Sequence, residues 1–297
     1  MDWINHPGFV PIRDAVIAQL TSRIVHFRKV NRVIFLCGGF QSSRRDRVAQ
    51  YIRAHHEHVL LFYADDVWAL VAQHGSQNAL GMERELAALS DVVLIVVESP
   101  GTFAELGAFA LQDDLRKKLL PILDVAHRDA ESFVRSGPVA WVDEDSTYRP
   151  AIWADHDTIL DVVDELDARL TKLPSSRAHR VEELAESPKH LVFFLADLVG
   201  IFGPCPKSHL AEYVRRILGR EPVWTVDMLL GLASAMGLVE HLDSEVGETL
   251  FVRPLTEGEL RPFQETRYLD LAALRAQVVG AMLGIPGAFH MVGEATA

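Results

Sequence analysis

The sequence predicts an α/β fold, in which a parallel sheet carries helices on both faces and is followed by a smaller helical domain. Three observations predict it. Apolar runs such as VIFLC, VLLF and VVLIVV alternate with segments of helical periodicity between residues 30 and 170. The runs are apolar throughout instead of alternating, as strands buried on both faces of a parallel sheet are. Polar residues collect where the runs end: Gly38 and Gly39, Asp65 and Asp66, and Glu98 to Glu105. Ligands of open α/β sheets bind beyond the carboxyl ends of the strands, where the strand order reverses.

In chain order, residues 13–29 have helical spacing, with Val16, Ile17, Leu20, Ile24 and Val25 on one side. RVIFLCGG is the first strand of a Rossmann-like series, and RRDRVAQYIRAHH is a helix turning Val48 and Ile52 inward. VLLFYADDVWAL supplies a second strand that ends at Asp65 and Asp66. GMERELAALS is a helix with Met82, Leu86 and Leu89 on one face, DVVLIVVE a third strand, and GTFAELGAFALQDD the next helix. KKLLPILD reads as a fourth strand, GPVAWVDED as a fifth, and 157–170 as a helix built on Ile159, Val162, Val163, Leu166 and Leu170.

TKLPSSRAHR, at 171–180, has the composition of a linker and divides the chain into a sheet domain, 1–175, and a second domain, 181–297. The second domain has an apolar helix at 189–200 and two more helices, SHLAEYVRRIL and VDMLLGLASAMGLV. The hairpin-like VEHLDSEVGETLFVR follows. Helix, helix, hairpin is the order of a winged helix-turn-helix. A helix over 262–283 and a glycine-rich tail complete the chain.

The 297 residues are 49% hydrophobic, which supports a sizeable core, and 41 acidic against 29 basic residues give a formal charge of -12. So acidic a chain repels phosphate backbones, and any nucleic-acid contact requires a local basic patch. Lys207, Arg215, Arg216 and Arg220 are the candidates for such a patch, and they equally suit the solvated side of an amphipathic helix. The two cysteines, Cys37 and Cys205, lie far apart and belong to no metal-ligand pattern, and the thirteen histidines are scattered. The expectation is a chain without a metal, with surface histidines, in a reducing compartment. No basic leader precedes an apolar core at the N-terminus, and no apolar run is long enough to span a bilayer. A soluble cytoplasmic protein without membrane contact is expected, and a homo-oligomer is compatible with the sequence.

ESPGTFAELGAFA, at 98–110, carries the most chemistry. Thr102 and Glu105 have capping-box spacing, so Glu105 has a structural reading as the residue that reaches back to its helix start. It also has a chemical one: the helix field would hold a first-turn carboxylate ionised, ready to face an electron-poor sugar carbon. Gly101 permits a close approach of ligand to backbone, and free amides of the turn suit a phosphate or sugar oxygen. Asp65 or Asp66 would serve as a second carboxylate, since glycosyl chemistry divides its labour between carboxylates of unequal pKa. Glu83 and Glu98 are further candidates. Cys37, Gly38 and Gly39 end the first strand without a dinucleotide fingerprint or a P-loop, and Arg44 and Arg45 follow as phosphate ligands or helix-start charges.

Together, IFLCGG, LFYADDVW, GMERELAALSDVVLIVVESPGTFAELGAFA and RKKLLPI resemble effector proteins of bacterial retron anti-phage systems. These have an N-terminal domain of the nucleoside 2-deoxyribosyltransferase type and a C-terminal winged-helix domain. The resemblance is best over residues 30–140. It implies that Glu105 matches the nucleophilic glutamate that attacks C1 of the sugar, and that Asp65 or Asp66 matches an upstream acid of the pocket. The transferases have an aspartate six positions before the nucleophile, where this chain has Ser99, with Glu98 one position earlier. That departure argues for the effector group and against ordinary deoxyribosyl exchange.

The resemblance further implies a toxin that cleaves an N-glycosidic bond of a nucleotide. NAD would be its substrate and not a cofactor, bound near Cys37, Gly38, Gly39, Glu83 and the turn of Glu98, Ser99, Gly101 and Thr102. A retron reverse transcriptase and its RNA–DNA product would be its partners. The alternatives are a deoxyribosyltransferase or hydrolase outside defence, and a regulator that senses a nucleotide and binds DNA.

Overall fold

The computed structural model describes residues 3–65, 79–173, 175–222, 224–244, 248–254 and 262–296. Two compact units make up the chain, residues 31–175 and residues 1–30 with 176–297. The division, between residues 175 and 176, falls within the expected linker, but the first thirty residues join the second unit instead of the sheet domain. Their helix is shorter than its periodicity predicts, covering Val10–Leu20, and Ile24 is exposed in the turn that follows.

The sheet unit has five parallel strands: β1 (Arg32–Cys37), β2 (Val59–Phe62), β3 (Val92–Val97), β4 (Leu119–Asp124) and β5 (Ile152–Ala154). Their spatial order is 2-1-3-4-5, with β1 between β2 and β3. The order reverses at β1 and β3, so the crevice beyond Cys37 and Val97 is the switch point at which such sheets hold ligands. GPVAWVDED is not a strand. It forms a turn of π-helix at Arg135–Val139 and a short α-helix at Ala140–Asp145. Pro138, Val139 and Val142 turn inward there at helical spacing, a pattern that a short apolar run shares with a strand. The true fifth strand is the three-residue IWA.

Four helices matter to the site: α1 (Ser43–His55), α2 (Ala79–Leu89), α3 (Pro100–Ala110) and α4 (Val163–Leu170). One face of the sheet, with Ile34, Leu36, Val92, Leu94, Val96, Leu120 and Ile122, forms a core with Val48 and Ile52 of α1 and Leu166 and Leu170 of α4. Side chains alternate along a strand. Cys37 and Val97 therefore lie on the opposite face, and Glu98, one residue later, points back toward the α1 side.

In the other unit, Phe27–Lys29 is the central strand of a small antiparallel sheet, between Gln264–Glu265 and Ala178–His179. Helices Pro188–Phe202, Lys207–Leu218 and Val226–Ala235 follow, with the strand Cys205–Pro206 between the first two. The hairpin of Glu240–Asp243 and Thr249–Val252 pairs with that strand in the order Cys205–Pro206, Thr249–Val252, Glu240–Asp243. The expected helix over 262–283 begins only at Leu271, and the expected tail is a helix, Pro286–Thr296. No described helix is long and apolar enough to cross a membrane.

Candidate functional site

The turn after β3 is organised by proline. Pro100 occupies the first position of α3, where its missing N–H is no loss. Ser99 becomes the N-cap: Ser99 Oγ accepts from the Thr102 amide at 3.3 Å, and Thr102 Oγ1 accepts from the Ser99 amide at 2.9 Å. Thr102 Oγ1 also accepts from the Glu98 amide at 3.0 Å and donates to the Ser99 carbonyl at 2.9 Å. The capping box is thus Ser99 with Thr102, three residues earlier than the TFAE spacing predicts. Glu105 lies beyond the first turn and caps nothing.

The same bonds change the expected anion cradle. The amides of Glu98, Ser99, Thr102 and Phe103 all have partners inside the turn, and among the described residues the Gly101 amide is the open one. Ser99 and Thr102 are committed to holding the helix start.

Along α3, Thr102, Leu106, Phe109 and Ala110 form the buried stripe. At about 100° per residue, Phe103 and Glu105 flank that stripe on opposite sides, about 160° apart. Phe103 borders an apolar cavity of about 210 Å³ with Val97, Leu123, His127 and Trp153. Glu105 lies on the other flank, toward the end of β1.

There it meets Cys37, Glu83, Asp65 and Arg45. Burial is the main influence on the half-buried Glu105 carboxyl and pushes it up to about 8; repulsion from Glu83 and Asp65 adds to this. A hydrogen bond with the Cys37 thiol and the charge of Arg45 pull the other way. Among the described residues, the buried Glu105 Oε2 has no hydrogen-bond partner. The shift favours the protonated carboxyl at neutral pH, where the sequence predicts an ion held by the helix field. Burial, helped by Asp65, also raises Glu83. Burial and the two glutamates push the Cys37 thiol well up.

Arg45 is the cation of this cluster. It reaches from α1 to Asp65 Oδ2 at 2.9 Å, with its guanidinium 4.3 Å from the centre of the Tyr63 ring. Burial opposes its charge, but Asp65 and Asp46 outweigh the effect and raise its pKa. Gly38 makes the path possible, because a Cβ there would stand 2.7 Å from Arg45 Cδ. The glycine serves a protein side chain here, where the sequence suggests a ligand. Asp65 lies in the cluster, and Asp66 lies outside the described residues.

Glu98 belongs to a different network. Its Oε1 accepts from the Gly39 amide at 2.9 Å and its Oε2 from Arg44 Nη1 at 3.2 Å. Arg44 Nε donates to the His156 carbonyl at 2.8 Å. His156 is buried, burial holds its pKa down, and its Nε2 has no partner among the described residues. The scatter of histidines gives no sign of this position, nor of the buried His209. Among the described residues no group of three or more His, Cys, Asp or Glu side chains is placed to hold a metal ion.

In the second unit, the four expected nucleic-acid contacts are all engaged with nearby acidic residues. Lys207 Nζ is 2.7 Å from Asp227, Arg215 and Arg216 both bond Glu212, and Arg220 is 3.0 Å from Glu186. Their local excess of charge is largely neutralised.

Known proteins match this chain in both units. A protein of Escherichia coli named "Retron Ec73 putative ribosyltransferase/DNA-binding protein" is 29% identical over 236 residues, 71% of this chain and 75% of that one. "Retron Ec86 putative ribosyltransferase/DNA-binding protein", also from Escherichia coli, is 40% identical over 110 residues, 36% of each chain. The family described as STM3845 retron effector protein matches residues 41–241, more than half of the chain. The chain therefore belongs to the STM3845 retron effector protein family.

Proposed function

We propose that this retron effector cleaves the N-glycosidic bond of a nucleotide in anti-phage defence, with NAD as its substrate and Glu105 as its catalytic carboxylate. The observation that carries the reading is the state of Glu105. It has no capping duty, an oxygen that no described residue partners, and two further acids beside it. A buried polar atom without a partner is costly, and catalysis is one of the few reasons to keep one.

The charge of the cluster favours NAD. Among the described residues, Glu105, Glu83 and Asp65 face a single guanidinium, Arg45. Such a site disfavours a third anion and favours a cation, and the nicotinamide ring of NAD is a cationic pyridinium. Its charge, placed near Glu105, lowers the carboxyl pKa and makes the carboxylate. Glu105 then attacks C1′ of the ribose or stabilises the oxocarbenium ion. The C1′–N1 bond pair leaves with nicotinamide, which departs neutral and needs no proton. Water completes the reaction, giving ADP-ribose and a proton.

The helix–strand–helix–helix–hairpin of residues 188–252 is read as a winged helix. Together with the DNA-binding names of the relatives, it supports the retron reverse transcriptase and its RNA–DNA product as partners.

The test is NAD turnover by the purified chain, alone and with reverse transcriptase and RNA–DNA product, followed by chromatography of nicotinamide and ADP-ribose. Glu105→Gln is expected to lower kcat/KM by about 10³-fold or more, because an amide is no nucleophile. The wild-type kcat/KM is expected to rise with pH through about 8, as the free-enzyme carboxyl ionises. Equal turnover by wild type and Glu105→Gln rejects the assignment. NAD binding without turnover in both, partners present, favours a nucleotide sensor.

A further inference from the structure

The second unit has a cleft that the winged-helix reading does not use. It has a volume of about 630 Å³ and opens on one side of the small sheet built on Phe27–Lys29. Phe27 and Lys29 are buried on the other side, where Phe27 packs edge-on against Phe194. Arg28 stands on the cleft side between Ala178 and Glu265, its two register partners. The small Ala178 side chain leaves room beside it.

Arg23, Arg28 and Arg267 bring positive charge to this cleft, against the single carboxylate of Glu265 among its lining residues. Arg28 is held by Glu265. Arg23 and Arg267 have no ion pair among the described residues, and both are exposed. This is the reverse of the Lys207–Arg220 segment, where each cation has a carboxylate. In a chain of formal charge -12, a cleft with two uncommitted guanidinium groups is where a polyanion can approach. Tyr268, 65% exposed, and Ile24, 60% exposed, add apolar surface at the same place. Cations beside an exposed aromatic ring fit phosphates and unpaired bases together, the combination that single strands offer and duplexes withhold.

We infer that the cleft of Arg23, Arg267 and Tyr268 is a single-stranded nucleic-acid site. The inference rests on the nucleic-acid partner proposed above and moves the contact from the Lys207–Leu218 helix to the sheet. Arg23 and Arg267 neutralise successive phosphates, and Tyr268 stacks on a base. Removing the charges therefore weakens binding in a salt-dependent way, and removing the ring weakens it without changing the salt slope.

The experiment is fluorescence anisotropy of a labelled single-stranded twenty-nucleotide oligonucleotide with the full chain, between 50 and 200 mM salt. Arg23→Ala with Arg267→Ala is expected to weaken binding about tenfold or more and to flatten the slope of log K against log salt by about 1.4. Tyr268→Ala is expected to weaken binding about tenfold with the slope unchanged. Arg215→Ala with Arg216→Ala is expected to stay within about twofold of wild type, since Glu212 already holds both side chains. Wild-type binding that survives the cleft substitutions, or is lost in the helix variant instead, overturns the location and leaves the partner reading standing. An absence of binding by wild type overturns both. Equal affinity for duplex and single strand overturns the single-strand assignment.

Discussion

Seven residues apart, Glu98 and Glu105 show two uses of one side chain. Glu98 accepts from the Gly39 amide and from Arg44, and its side chain is only 6% exposed. Both oxygens are satisfied, and the residue ties the end of β1 to the turn after β3. Glu105 has a pKa pushed up to about 8 and an oxygen with no partner among the described residues. The first is what a fold does with a carboxylate it needs for itself. The second is a carboxylate the fold tolerates.

Asp197, in the other unit, sharpens the distinction. Burial pushes it up to about 7, so a raised pKa alone does not mark a catalytic group. Asp197 Oδ1 nevertheless accepts from the Phe263 amide at 2.8 Å and from Arg253 at 3.3 Å, and its Oδ2 from the Gln264 amide at 2.8 Å. It is a structural clamp between helix Pro188–Phe202 and the Gln264–Glu265 strand. What sets Glu105 apart is that, among the described residues, no donor reaches its Oε2 and only the Cys37 thiol bonds the carboxyl.

The largest stability effect is therefore expected at Asp197. Asp197→Ala removes the acceptor of the Phe263 and Gln264 amides and the carboxylate partner of Arg253, and should destabilise the second unit by about 3–5 kcal/mol in urea denaturation. A change under about 1 kcal/mol would show that the clamp is not needed. Glu98→Ala comes next, at about 1–3 kcal/mol, from the loss of two charge-assisted hydrogen bonds at a nearly buried site. If Glu98→Ala instead abolished NAD turnover in a fully folded protein, the contrast between the two glutamates would collapse.

The sequence made the sheet legible because its strands are continuous apolar runs rich in β-branched residues, and VIFLC and VVLIVV are too short for buried helices. IWA gave no such signal, since three residues are too few for a pattern, and GPVAWVDED took its place by mimicking one. Glu105 was legible as a candidate, but its environment was not. The Thr102–Glu105 spacing matches a capping box, and only the position of Pro100 shows that the helix starts earlier. The cluster of Cys37, Asp65, Glu83 and Arg45 is assembled from four elements, so no local spacing announces it. The cleft arginines were hidden for the same reason: Arg23 and Arg267 are 244 positions apart in the chain and meet through a sheet of very short strands.

An effect of similar size to that of Glu98→Ala separates a tolerated carboxylate from a useful one. Glu105 has its pKa raised from 4.5 to about 8, so between these values the unfolded chain has released the proton that the folded chain still holds. The unfolded state then binds fewer protons, and stability falls as pH rises through that window, with the penalty complete above about 8. Glu105→Gln has no proton to lose. The variant should match wild type near pH 4.5 and become progressively more stable than wild type toward pH 8. The plateau should be about 1–3 kcal/mol, reduced from the full shift because solvent reaches this half-buried side chain. Thermal melts of both proteins at pH 5, 7 and 9 measure the difference directly. A constant offset at all three would mean that Glu105 titrates alike in the folded and unfolded chain. A gap that widens with pH, alongside lost turnover, would mean that the protein keeps a destabilising carboxylate because its chemistry requires one.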